Sequence, residues 1–173
     1  MKRSTLLAAA GAAAVAATVA FGATPLVQAS EGARVQLASA EQMAAVKQRQ
    51  ELMKAIGANM KQIVDFLKEK KGTAEGAQQA AVKIVALSDR IPGAFKVEAS
   101  LDEMDAVGKN RGKPEIWLAW DDFTANAKNL NEKAKGLVVA FQSGDPQKVQ
   151  AAFGDMGKNG CGACHEDFRG PKV

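Results

Sequence analysis

The chain has 173 residues, 47% of them apolar and 24% charged, with a formal net charge of +4. That composition belongs to one globular domain long enough to bury a core, and it excludes a disordered or low-complexity protein. No run of lysine or arginine marks a nucleic-acid or membrane-surface binder, so neither partner is expected.

Residues 1–29 read as a secretory signal peptide. Lys2 and Arg3 form a basic n-region, residues 6–21 an apolar, alanine-rich h-region, and Val27-Gln-Ala29 a small-residue cleavage pattern. Cleavage is expected after Ala29, with a cut near Gly22 or Ala23 as the alternative. A retained anchor competes with this reading, but the apolar run is short for a bilayer span and alanine drives insertion weakly. The mature domain is therefore residues 30–173, exported and not inserted in a membrane. Removing Lys2 and Arg3 lowers its charge to about +2, too small to say much about partners.

Residues 30–38 have little pattern and read as a loose lead-in. From about 40 to 70, Val46, Met53, Met60 and Leu67 recur every seven residues, with Ile56, Ile63 and Val64 completing the stripe. Lys47, Arg49, Glu51, Lys54, Lys61, Asp65 and Lys68 lie largely off that seam, so this is a bundle helix. Lys70-Lys71-Gly72 ends it with basic residues and a glycine. A second helix runs from Thr73, as N-cap, to Ser88, burying Ala77, Ala80, Ala81, Ile84, Val85 and Leu87. Ile91-Pro92-Gly93 stops it. The residues up to Lys113 read as a long crossing loop with one short helical turn, of the kind that often covers a site.

Pro114 suits the first position of a third helix, whose inner face is Trp117, Trp120, Phe123, Ala127, Leu130, Ala134, Leu137, Val138 and Phe141. After Ser143-Gly144, Asp145 and Pro146 open a fourth helix as N-cap and first residue. Val149, Ala152, Phe153 and Met156 lead along its buried stripe to Cys161, Cys164 and Phe168. The expected fold is all-α: an antiparallel up-down four-helix bundle.

Cys161-Gly-Ala-Cys164-His165 contains the only cysteines and the only histidine of the chain. A C-x-x-C-H run is the attachment signature of a c-type haem. Each thiol forms a thioether with one vinyl group, and the adjacent imidazole binds iron from the proximal side. Three readings compete. A thioredoxin-like couple would follow a strand, a structural zinc site would need four ligands where three adjacent ones exist, and a plain disulfide fits an oxidising compartment. None of them accounts for the position of the histidine. One covalent haem c per chain, near the C-terminus of the bundle, is therefore expected.

On a regular helix Cys161, Cys164 and His165 share one face. Arg169, one turn beyond, either approaches the imidazole and the haem edge or is solvated. The absence of a second histidine excludes bis-histidine ligation and leaves Met43, Met53, Met60, Met104 and Met156 as sixth-ligand candidates. Met156 is nine residues from His165 on the same helix, about 13 Å along its axis, and cannot reach the opposite haem face. The first helix runs antiparallel to the fourth, which favours Met43 or Met53 over Met60 and leaves Met53 either ligand or core. Gly57, one turn after Met53, would leave room for a flat porphyrin.

The stretch from Ala151 through Cys161, Cys164 and His165 to Arg169 resembles the C-terminal helix of the cytochrome c′ family. Pro114-Glu-Ile-Trp117 resembles that family's third-helix start, and Val46-Lys-Gln-Arg49-Gln-Glu-Leu-Met53 its haem-facing first-helix segment. The resemblance covers essentially the whole mature chain and puts Arg49 and Arg169 among the cofactor contacts. In one branch of the family the distal residue does not bind iron, and the five-coordinate, high-spin haem binds NO or CO. In the low-spin branch, the cytochromes c-556, a first-helix methionine binds iron. The run from Arg49 through Met53 and Gly57 to Met60 is more similar to the low-spin branch.

The resemblance thus implies a periplasmic single-electron carrier with His165 and Met53 as axial ligands and no substrate turnover. Its partners would be periplasmic redox proteins, with homodimerisation through the first two helices left open, as in many relatives. The rivals are a five-coordinate protein binding NO or CO in a pocket walled by Val46, Met53 and Ile56, and a haem-free bundle with a Cys161–Cys164 disulfide.

Overall fold

Helix α1 spans Leu26–Glu69, and α2 spans Ala74–Ser88. A one-turn helix α3 (Ile91–Ala94) follows, then α4 (Glu115–Leu118) and α5 (Trp120–Gln142). The fourth long element is composite: α6 (Pro146–Asp155), a π-helical segment (Met156–Gly162) and α7 (Ala163–Phe168). The structure, a computed structural model, describes residues 26–99 and 110–171. Residues 1–25 of the expected signal peptide, Met104 and the middle of the expected crossing loop lie outside them. Among the described residues no helix is long and apolar enough to cross a membrane.

α1 packs on α2, α2 on α5, and α5 on the fourth element, so consecutive helices are neighbours, as in an up-down bundle. The expected loose lead-in at residues 30–38 is instead part of α1. Those residues hold good helix formers, no proline and a single glycine, so nothing stops a helix already nucleated downstream from propagating through them. At the other end Lys70, not glycine, takes the left-handed conformation (φ 51°) directly after α1, and Gly72 (φ 83°) completes the turn. The Lys71 N–H donates to the Asp65 carbonyl at 3.0 Å.

The deepest line of α1 is Ala45, Val46, Arg49, Leu52, Ile56 and Ile63. Val46, Ile56 and Ile63 of the expected stripe are on it, while Met53, Met60 and Leu67 are only partly buried and Ala45 and Leu52 take deeper places. Arg49, expected off the seam, is 4% exposed. The reason is the neighbour, since α1 faces both α2 and the chain around α3, and the second contact draws the buried line round the helix.

α2 behaves as expected: the Thr73 side chain accepts from the Gly76 N–H, and Ala77, Ala80, Ala81 and Ile84 are buried. Ile91-Pro92-Gly93 ends α2 and at once begins α3, with proline in its first turn. Pro114 stands one place outside its expected position, as N-cap of α4, and the backbone breaks at Ala119 (φ −121°, ψ 51°) before α5 starts. Asn131, absent from the expected inner face, is buried in α5 and donates to the Val85 carbonyl, the Ser88 hydroxyl and the Asp89 carboxylate. It thereby satisfies the carbonyl end of α2.

Candidate functional site

The fourth element begins as the sequence dictates. The Asp145 carboxylate accepts from the backbone N–H groups of Gln147 and Lys148, and Pro146 occupies the first turn. From Met156 the helix widens for seven residues, Met-Gly-Lys-Asn-Gly-Cys-Gly, before tightening again at Ala163. Cys161 is inside the wide stretch and Cys164 just beyond it, so the regular i, i+3, i+4 face expected for the motif is modified. Met156 at the start of the wide stretch is fully buried, and Phe168 at the end of α7 is 6% exposed. The motif is thus fixed to the core at both ends.

Both thiols are free, half-buried and packed against the main core. Burial pushes the Cys161 thiol above its ordinary pKa. Burial, the neighbouring Cys161 and Asp167 push Cys164 up to about 11. A thiolate is the species that attacks in disulfide exchange, and both shifts lower its share. His165 is exposed, yet the protein around its ring desolvates it, and with the Arg169 and Arg111 cations this holds its pKa below the ordinary imidazole value. Arg169 Nη1 lies 3.5 Å from His165 Nδ1.

The chain beyond α7 is anchored to the segment before α4. The Lys113 N–H donates to the Phe168 carbonyl at 3.1 Å and the Gly170 N–H to the Arg111 carbonyl at 2.8 Å. Lys113 Nζ also reaches the Asp167 carbonyl at 2.7 Å. An aromatic path then runs inward: Phe168 meets Phe123 edge-on at 5.3 Å between centroids, and Phe123 meets Phe95 at 5.0 Å and Trp120 at 5.6 Å.

At the inner end of this path is Arg49. Its Nε and Nη1 donate to the carbonyls of Ala94 and Ala99 at 3.0 Å each, and its Nη2 donates to the Val97 carbonyl. Its guanidinium lies over the rings of Phe95 and Trp117, and the Trp117 indole N–H donates to the Phe95 carbonyl at 2.8 Å. Burial lowers its pKa to about 10, which leaves it charged at neutral pH. Arg49 thus ties α1 to α3 and the chain that follows. No sequence signal announced these acceptors, because all three are backbone carbonyls.

Among the sixth-ligand candidates, Met53 and Met60 are half-buried on α1 against the same core that receives Cys161 and Cys164. Met43 is 43% exposed and Met156 is sealed in the core. Val46 and Ile56 are buried as expected, but Val46 packs with Ala99 in a separate small cluster. Gly57 is exposed, and a methyl group there would meet nothing within 4 Å, so no protein contact requires glycine at that position.

Two free thiols three residues apart, followed at once by an accessible imidazole, on the last helix of a four-helix bundle, define a haem-c protein of the bundle class. The donor set fits the group, with two sulfurs for thioethers and one nitrogen for iron. The family described as cytochrome C′ matches residues 44–169. Cytochrome c′ of Pararhodospirillum photometricum is 29% identical over 124 residues, which cover 72% of this chain and 94% of that protein. The crystal structure of cytochrome c′ from Thermochromatium tepidum has a TM-score of 0.64 at 26% identity, covering 75% of this chain and 97% of the other. A nitric oxide complex of a mutant cytochrome c′ from Alcaligenes xylosoxidans has a TM-score of 0.64 at 25% identity, covering 76% and 97%. The chain belongs to the cytochrome c′ family, whose cofactor is one covalent haem c per chain.

Proposed function

We propose that this chain is a periplasmic cytochrome c′ that offers a small diatomic, NO or CO, the distal side of a haem held on the iron side by His165 alone. When bound, haem c supplies a one-electron iron centre and an axial position for the diatomic. Cys161 and Cys164 hold the group through thioethers, and His165 supplies the proximal nitrogen. Arg169 lies beside the imidazole, and Arg49 holds the chain at 94–99 against α1. This reverses the preference drawn from the sequence, which favoured histidine–methionine ligation. The observation that carries it is the likeness to a cytochrome c′ solved as a nitric oxide complex, over nearly the whole of that protein. Met53 agrees with it as a neutral side chain packed into the core, a wall that suits an uncharged diatomic.

The second reading keeps Met53 as the distal ligand of a low-spin electron carrier of the c-556 branch. It is favoured by one observation, that Met53 is half-buried on α1 against the core shared by the two cysteines, while Met43 is exposed. In neither reading is a substrate turned over. Redox proteins of the periplasm would be the partners, after export with cleavage near Ala29. A second copy of the chain, paired through the first two helices, is the other partner of this reading, by its likeness to a cytochrome c′ described with a ligand-controlled dimer dissociation.

An optical spectrum of the purified protein, oxidised and reduced, with and without CO, tests the proposal. A broad high-spin spectrum that shifts with CO is expected. Sharp reduced bands indifferent to CO would transfer the assignment to the second reading.

A further inference from the structure

The widened segment Met156–Gly162 stands directly before and within the attachment motif. A π turn closes its hydrogen bonds one residue later than an α turn, which is why such segments are rare and short and are found mostly at functional sites. Each residue so inserted turns everything downstream by about 100° relative to an uninterrupted α-helix. The direction in which Cys161, Cys164 and His165 leave the helix axis therefore depends on this segment being kept.

Four contacts keep it, and three of them come from one stretch of α5. Gly160 is buried against α5, where a side-chain carbon would stand 3.1 Å from Leu130 Cδ1 and 3.5 Å from the Leu130 Cα. The Leu130 Cα is at ordinary contact distance, but the Leu130 methyl is closer than side-chain carbons normally stand, so a side chain at 160 would make Leu130 shift by a few tenths of an ångström. The Asn129 amide donates to the Asn159 carbonyl at 2.7 Å. The Lys133 ammonium pairs with the Asp155 carboxylate at 2.7 Å. Within the segment, the Asn159 amide donates to the other Asp155 oxygen at 2.6 Å. The bond from Asn129 supplies a partner to a carbonyl in the turn where the regular ladder changes.

We propose that Asn129 and Gly160 are positioning residues for haem attachment: Asn129 through its bond to the Asn159 carbonyl and Gly160 through its close seat on Leu130 hold the π-helical turn that sets the face on which Cys161 and Cys164 emerge. This rests on the assignment of those two cysteines as the thioether donors. Asn129 acts through the Asn159 carbonyl that it holds, and Gly160 through its place directly before Cys161.

The test uses the full chain, exported in a host competent to assemble c-type haem. Asn129→Asp removes the amide donor while keeping the shape, Asn129→Ser keeps a donor, and Gly160→Ala adds the carbon that meets Leu130. Covalent haem per chain, from intact mass, is expected to fall about tenfold in Asn129→Asp and Gly160→Ala, the scale seen when a supporting shell is misplaced. The remaining holoprotein should show a shifted spectrum and reduction potential, and Asn129→Ser should restore both. A second readout needs no haem: in a Cys161→Ala/Cys164→Ala chain, amide NMR should find the i→i+5 pattern across 156–162, lost on Asn129→Asp. Full haem loading with an unaltered spectrum and potential in both variants overturns the proposal. So does a regular i→i+4 ladder in the haem-free chain, or a loss of haem that follows far-UV circular dichroism equally in all three variants. An unaltered chain without thioether-bound haem would instead overturn the cysteine assignment itself.

Discussion

The guanidinium carbon of Arg49 lies 4.8 Å from the centre of the Phe95 ring, and 5.1 Å from that of Trp117. An arginine from α1 is thus held against two rings, one after α3 and one in α4, with its donors turned to three main-chain carbonyls. Removing it takes this donor from the Ala94 and Val97 carbonyls, while Ala99 keeps the Asn110 amide at 3.1 Å, and the loss of partners exceeds the cost of burying the charge once it is satisfied. Arg49→Met is expected to lower the free energy of unfolding by about 3 kcal/mol, measured by urea denaturation. Arg49→Lys should recover less than half of this, because a point charge cannot serve three divergent acceptors.

Met53 decides between the two functional readings. With Met53 unligated, the ferrous unaltered protein binds CO, and Met53→Ala binds it faster, by roughly tenfold, because a side chain leaves the distal wall. With Met53 ligated, the unaltered protein ignores CO and Met53→Ala converts it to a high-spin, CO-binding form. Flash photolysis with optical detection separates the outcomes. Stability should fall by only about 1–2 kcal/mol, since the side chain is partly buried.

Phe123 contacts three rings, those of Phe95, Trp120 and Phe168, and is 2% exposed. Phe123→Ala should cost about 3–5 kcal/mol in thermal or urea unfolding. Because Phe168 loses its edge-on partner, hydrogen exchange at 163–168 should accelerate more than at α2.

The Asp145 carboxyl is held below its ordinary pKa chiefly by the Gln147 N–H and then the Lys148 N–H. A folded-state pKa below the unfolded one contributes stability above the unfolded value, and that contribution is lost as pH falls through the carboxylate range. Asp145→Asn keeps an acceptor for the helix start without a titrating group. The fall in stability on acidification from about pH 5 should therefore become shallower. It should not vanish, because Asp155 is lowered in the same direction by Lys133 and Asn159. An unchanged slope would mean that the Asp145 cap contributes nothing to acid unfolding.

How much of this was legible beforehand follows from the range of each interaction. Thr73, Asp145 and Pro146 act on backbone groups two or three residues away, so the caps of α2 and α6 stood in the sequence and appear in the structure. The haem chemistry was local in the same sense, because two cysteines three apart and the next histidine are one covalent unit. The third helix was expected unbroken from Pro114, and its interruption at Ala119 had no local signal.

The sequence alone determined the helices and the attachment motif, because helical periodicity and near-neighbour spacing are properties of a single segment, and its resemblance in three stretches pointed to the family. Tertiary packing decided the rest. Arg49 carries a charge that any periodicity argument puts outside, and it is buried only because the carbonyls of Ala94, Val97 and Ala99 come to meet it from 45 or more residues away. The wide turn before the cysteines likewise depends on Leu130 and Asn129 of a different helix. A partner's backbone carries no side-chain signature, so contacts of this kind are not written in either segment and exist only once the two are brought together.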